Sequence, residues 1–187
     1  MGLFDRFKNR KQEEPVQLPA SLKAVYLIGG GSGGYSGDLI ITEQVIYFLP
    51  RKDMVDDKII REAGLWGGVV GGTLGLASGT VPLTYRERSE AESEPKEPDI
   101  TGSCAEVQEK LDSYIEQLKS LRRGGRFSSS LPLPMRFHLS EMKNLSCSRG
   151  DLKTGRLVFN GAYEQHEFVA NQFEPLQAAL VEGGFIG

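Results

Sequence analysis

GDLIITEQVIYFLP, residues 37 to 50, is the stretch on which the fold turns. Two runs rich in β-branched and aromatic residues, Asp38 to Thr42 and Val45 to Leu49, are joined at polar Glu43 and Gln44, and Pro50 stops the second. Such side chains fit a pleated, half-buried surface, and a polar break between two runs marks a turn, so the stretch predicts a β-hairpin. Upstream, Ala24 to Ile28 is another apolar, strand-like run, and GGGSGGYSG, residues 29 to 37, reads as a loop.

The β pattern lapses after Pro50 and returns at Met135. Met135 to Leu139, Met142 to Ser148, Leu152 to Asn160 and Tyr163 to Ala170 read as successive short strands. Asn160-Gly161 between the last two is a strong hairpin signal. The chain then runs through NQFEPLQAALVE, Asn171 to Glu182, a short helix expected to face a core with Phe173, Leu176, Leu180 and Val181 and to stop at Gly183 and Gly184.

Between the two β portions lie three different kinds of sequence. Ala63 to Tyr85 is uncharged and glycine-studded, Glu87 to Asp99 is acidic and reads as a solvated linker, and Ser103 to Arg123 is amphipathic. In the last of these, Val107, Leu111, Tyr114, Ile115, Leu118 and Leu121 fall on one helical stripe. Ser103 and Glu106 make a capping box, and Gly124 and Gly125 follow a basic last turn.

Three strands, a long insertion, four strands and a terminal helix resemble the order of the bacterial pleckstrin-homology-like (PH-like) and GRAM-like domains. GDLIITEQVIYFLP is similar to their second and third strands, and GRLVFNGAYEQHEFVANQFEPLQAAL to their closing strands and helix. The resemblance implies an α+β fold: a two-sheet β-barrel or sandwich, capped by the C-terminal helix and carrying a helical, glycine-rich insertion between the third and fourth strands. It divides the chain into a flexible amphipathic segment at 1–20, the first three strands at 21–50, the insertion at 51–132, and the last four strands with the helix at 133–187. It also implies a binding module for lipid, peptide or protein rather than an enzyme, although a shared fold does not fix function.

Composition narrows the classes further. The chain has 187 residues, a formal net charge of -3 and a pI near 5.5, so no global basic field draws it to nucleic acid. Two cysteines, Cys104 and Cys147, make no disulfide framework for this length and fit a reducing, cytoplasmic setting. The first eleven residues are basic and amphipathic but lack the apolar core of a secretory signal, and Arg6 stands where a myristoylation signal wants Ser or Thr.

Several motifs invite chemistry. Gly29, Gly31 and Gly34 satisfy the spacing of a dinucleotide fingerprint, but that motif requires a helix to open at its last glycine, and a strand-like run follows. His138 and His166 are expected as ordinary strand residues, no cluster has metal-ligand spacing, and Cys147 has no local activating base. No metal, no cofactor and no catalytic residue is expected.

Two contact elements remain. Lys119, Arg122, Arg123 and Arg126 form the densest basic group; they complement the carbonyls of a helix C-terminus, and they suit an anionic headgroup or acidic partner. In the glycine-rich stretch Gly67, Gly71, Gly75 and Gly79 recur every fourth residue, so a helix there would offer a smooth face for packing. The same stretch has the length of a membrane span but is diluted by Thr73, Ser78, Thr80 and Pro82. As an amphitropic element it would lend Leu65, Trp66, Val69 and Val70 to a membrane or a partner groove. The expected function is thus a non-catalytic adaptor, peripheral at the inner membrane surface through anionic lipid, with a protein-only scaffold or self-association module that forms a homo-oligomer as the alternative and, behind both, an enzyme with an unrecognised site around His138, His166 or Cys147.

Overall fold

In the computed structural model, which describes residues 17–28, 33–51, 69–70, 73–74, 95–123 and 133–187, the early hairpin belongs to a three-strand meander. It comprises β1 (Ala20–Ile28), β2 (Gly33–Ile41) and β3 (Val45–Pro50), all antiparallel. The later strands are β6 (Met135–His138), β7 (Lys143–Arg149), β8 (Gly155–Asn160) and β9 (Gln165–Ala170), and β7, β8 and β9 form a second antiparallel meander.

The two β portions join into one sheet at two places. β1 pairs with β9 from Ala24 opposite Ala170 to Leu27 opposite Glu167, and β3 pairs with β6 from Val45 opposite His138 to Phe48 opposite Met135. The main order is therefore β6-β3-β2-β1-β9-β8-β7, a strongly curled antiparallel half-barrel compatible with a PH-like fold. Where two sheets are expected, a single continuous one is found, because β1 ladders with β2 on one side and β9 on the other. The strands at its two ends, β6 and β7, are consecutive in the chain and linked by one 3-10 turn, Leu139–Glu141.

The hairpin's apolar density has a structural reason. Leu39, Ile41, Ile46 and Phe48 point into the concave core with Leu157, Phe159, Phe168 and Leu176, whereas Ile40, Val45, Tyr47 and Leu49 point to the opposite face. That second face is covered by α1 (Cys104–Arg123) through Val107, Leu111, Tyr114, Ile115 and Leu118. Strands buried on both faces lose the alternation of a half-exposed sheet and become continuously apolar.

The capping box closes as the sequence predicts: Ser103 N donates to Glu106 Oε2 at 2.9 Å, and Glu106 N to Ser103 Oγ at 3.4 Å. A cap is worth about 1 kcal/mol and each buried stripe residue about 1.5–3 kcal/mol, so contact with the sheet, more than capping, holds α1 in place.

The terminal helix α2 (Phe173–Glu182) covers the concave core with Leu176, Ala179 and Leu180, while Val181, expected inside, is 50 % exposed. Its close approach to β8 depends on Gly155, where a Cβ would stand 2.6 Å from Leu176 Cδ2 and 3.1 Å from Phe173 Cα.

Two expectations for the glycine-rich segments change. Gly33 to Gly37 are not loop but the first half of β2, because Gly34 and Gly37 lie opposite Leu27 and Ala24 in the β1 ladder. Within the stretch read as a helix, Val69–Val70 (β4) and Thr73–Leu74 (β5) are extended and pair with each other, and β5 pairs with β2. Three of those four residues are β-branched, which favours a strand over a helix. Among the described residues no helix is long and apolar enough to cross a membrane.

Candidate functional site

α1 is set on the sheet in a definite direction. Near its start, Gln108 Nε2 donates to Thr42 Oγ1 at 2.8 Å and to the Glu43 carbonyl at 2.9 Å, which places this turn beside the β2–β3 connection. One turn later, Tyr47 in mid-β3 donates its hydroxyl to Asp112 Oδ1 at 3.0 Å. The helix therefore advances in the same sense as β3, and its last turn lies toward the end of β3 marked by Pro50.

That last turn carries the predicted basic residues. Arg122 and Arg123 are exposed, and Lys119 is half-buried with its Nζ 2.7 Å from Glu116 Oε1. Arg126 lies outside the described residues.

The apolar element reaches the same end of the sheet by another route. β3 pairs with β2 over Gly37 to Ile41, while β5 takes Gly34 and Tyr35, beyond the point where β3 stops. The β4–β5 hairpin, which contains Val69 and Val70, is thus fastened at the end of β2 remote from the β2–β3 turn. Leu65, Trp66, Gly67, Gly71, Gly75 and Gly79 lie outside the described residues.

Sequence reasoning missed an ionic brace on the sheet itself. Buried Asp38 receives Arg51 Nε at 2.8 Å and Lys23 Nζ at 3.5 Å, and Arg51 also pairs with Glu97. A carboxylate so far from water needs cationic partners, and these three residues tie β1, β2 and the chain just after β3 together. No local motif announces it, because Lys23 and Asp38 meet only through the ladder, and Arg51 and Glu97 are 46 residues apart in the chain.

The other titratable groups sit deeper. His166 is buried with its ring among Phe137, Phe159 and Tyr26, at centroid separations of 4.6, 5.3 and 5.9 Å, and its Nδ1 shares a 3.2 Å hydrogen bond with Tyr26 Oη. Burial holds the imidazole below its ordinary pKa, with Glu164 acting weakly in the other direction. His138 is occupied locally, accepting from the Ser140 backbone N–H at 3.2 Å. Burial pushes the Cys147 thiol up to about 11, which disfavours the nucleophilic thiolate.

Gly34 lies in a strand, so no helix N-terminus follows the glycine spacing to cradle a pyrophosphate. Among the described residues no group of three His, Cys, Asp or Glu side chains could hold a metal ion. Comparison of the chain with protein-family models, curated proteins and solved structures finds no match.

Proposed function

We propose that this chain is a non-catalytic binding module of PH-like architecture that docks at anionic membrane surfaces from the cytoplasmic side. The observation that carries the reading is a convergence: the basic last turn of α1 and the apolar β4–β5 hairpin, far apart in sequence, lie toward the same end of the sheet. Exposed guanidinium groups would draw in lipid phosphates, while an apolar element toward the same end would supply the short-range contact that charge alone lacks.

The rest of the molecule supports a holder rather than a catalyst. Cys147 is kept as a thiol, and His138 is engaged by the turn next to it.

Sedimentation with vesicles of mixed phosphatidylcholine and phosphatidylserine at low salt tests the proposal. The intact chain should pellet with them, less so as salt rises, and purely zwitterionic vesicles should leave it in the supernatant. Replacing Arg122 and Arg123 together by Ala should weaken binding about thirtyfold, at roughly 1 kcal/mol per cation near the surface. Failure to pellet at low salt, or equal pelleting with both vesicle types, defeats it.

A further inference from the structure

On the concave side of the sheet, the face opposite α1, the half-barrel has a recess of about 310 Å³ between the 3-10 turn and the β8–β9 hairpin, lined by Phe137, Glu141, Met142, Phe159, His166 and the hairpin residues Gly161 to Glu164. It forms where the curl stays open, since its walls come from β6, from the turn after it, and from β8 and β9.

Three rings make its floor. Phe137 meets Phe159 edge to face at 5.1 Å and His166 at 4.6 Å, so the aromatic surfaces are fixed against one another before anything binds. A fourth ring, Tyr163, stands fully exposed on the hairpin turn and packs on nothing that folding would bury.

The charges around this floor have one sign. Glu141 and Glu164 are both exposed at the recess, and no Lys or Arg is among the lining residues. Lys143, the first residue of β7, lies opposite Asn160 outside the lining.

We propose that this recess is a binding site for a small organic cation, an ammonium group on a short apolar stem, with the stem against Phe137, Met142 and Phe159 and the charge between Glu141 and Glu164. Aromatic faces attract cations through their quadrupole, and the two carboxylates supply the countercharge without themselves being buried. A carboxylate or phosphate ligand would meet the same two charges as repulsion. The size suits a small ligand, standing at the lower end of the range for ligand pockets. The site is separate from the basic end of α1 and does not depend on the membrane proposal.

Amide chemical-shift titration of the intact protein decides the matter, with three probes of matched stem: hexyltrimethylammonium, hexanol and hexanoate. The ammonium should produce saturable shifts at Phe137, Phe159, Glu164 and His166, hexanol weaker ones, and hexanoate none. The Glu141→Gln/Glu164→Gln double variant alters only exposed side chains, and it should weaken the ammonium about five- to tenfold while leaving hexanol unchanged. Equal binding of hexanoate and hexyltrimethylammonium, or ammonium binding indifferent to the double variant, would overturn the charge assignment. Absence of any saturable shift with all three would overturn the site itself, and neither result bears on vesicle binding.

Discussion

Tyr47 and Asp112, 65 residues apart, are joined by a 3.0 Å hydrogen bond that pins the middle of β3 to the third turn of α1. Tyr47 is fully buried, while the Asp112 side chain is 39 % exposed and also has Arg136 Nε at 3.4 Å from the same oxygen. Desolvation, followed by the neighbouring carboxylate, pushes the phenol well above its ordinary pKa, so it remains a donor throughout the accessible pH range. The bond decides where along the sheet the helix lies, and with it where Arg122 and Arg123 are presented.

Removing the two partners should not cost the same. Tyr47→Phe frees a carboxylate that water and Arg136 can still reach, so we expect a loss of about 1–2 kcal/mol in urea unfolding. Asp112→Ala strands a buried hydroxyl instead, and its cost should equal or exceed that of Tyr47→Phe despite alanine's better helix propensity. A double-mutant cycle reads the coupling directly, and additive losses would show that the bond does not fasten α1.

Gly155 should be the most demanding glycine beneath α2. An added Cβ would meet Leu176 Cδ2 at 2.6 Å, Phe173 Cα at 3.1 Å and the Gln172 carbonyl at 3.2 Å, two of them backbone atoms that cannot rotate away. Gly155→Ala should therefore push α2 outward and destabilise the protein by about 1–3 kcal/mol, the usual range for overpacking. Gly187→Ala, with nothing within 4 Å, should leave the unfolding midpoint where it was.

Most elements were legible because their causes are local. The β-branched runs at Ile40 to Thr42 and Val45 to Leu49, the stripe from Val107 to Leu118, and the Ser103 and Glu106 cap each declare themselves within a few residues. Gly33 to Gly37 are hard to read because glycine has no strand preference of its own, and it is their ladder partners, β1 on one side and β5 and β3 on the other, that make them extended. Val181 has the type and spacing of a core residue, yet it is exposed and the smaller Ala179 is buried instead. The recess was not legible at all. Phe137, Met142, Phe159 and His166 come from different elements, and only the curl of the sheet brings them together; the one sequence signal nearby was Asn160-Gly161, which places a turn but not the rings beneath it.

Cys147 should be a slow thiol. It lies in β7 opposite Leu157, packs partly against the concave core, and burial raises its pKa from 9.0 to about 11. Two pH units leave about a hundredfold less thiolate at neutral pH, and alkylation proceeds through the thiolate. In a Cys104→Ser background, which isolates the residue, iodoacetamide should modify Cys147 about a hundred times more slowly in the native protein than in urea. Comparable rates in the two states would show that burial does not hold the thiol protonated, and a faster rate in the native protein would reopen a nucleophilic role for it.

His166 should make stability fall on mild acidification. Its folded pKa is depressed below 6.5 because charging the ring removes a cation from water into a wall of Phe137, Phe159 and Tyr26, a cost that Glu164 only partly offsets. Between the depressed folded value and 6.5 the unfolded chain binds more protons than the folded one, so unfolding free energy rises with pH across that window. The contribution is complete above pH 6.5, shrinks as pH falls through it, and levels off once the folded ring also titrates. Urea unfolding between pH 7.5 and pH 5 should show this slope in the wild type. His166→Gln, which cannot gain a proton, should be less stable at neutral pH but flatter across the window. An undiminished slope in that variant would move the titration to other groups and remove the imidazole from the account.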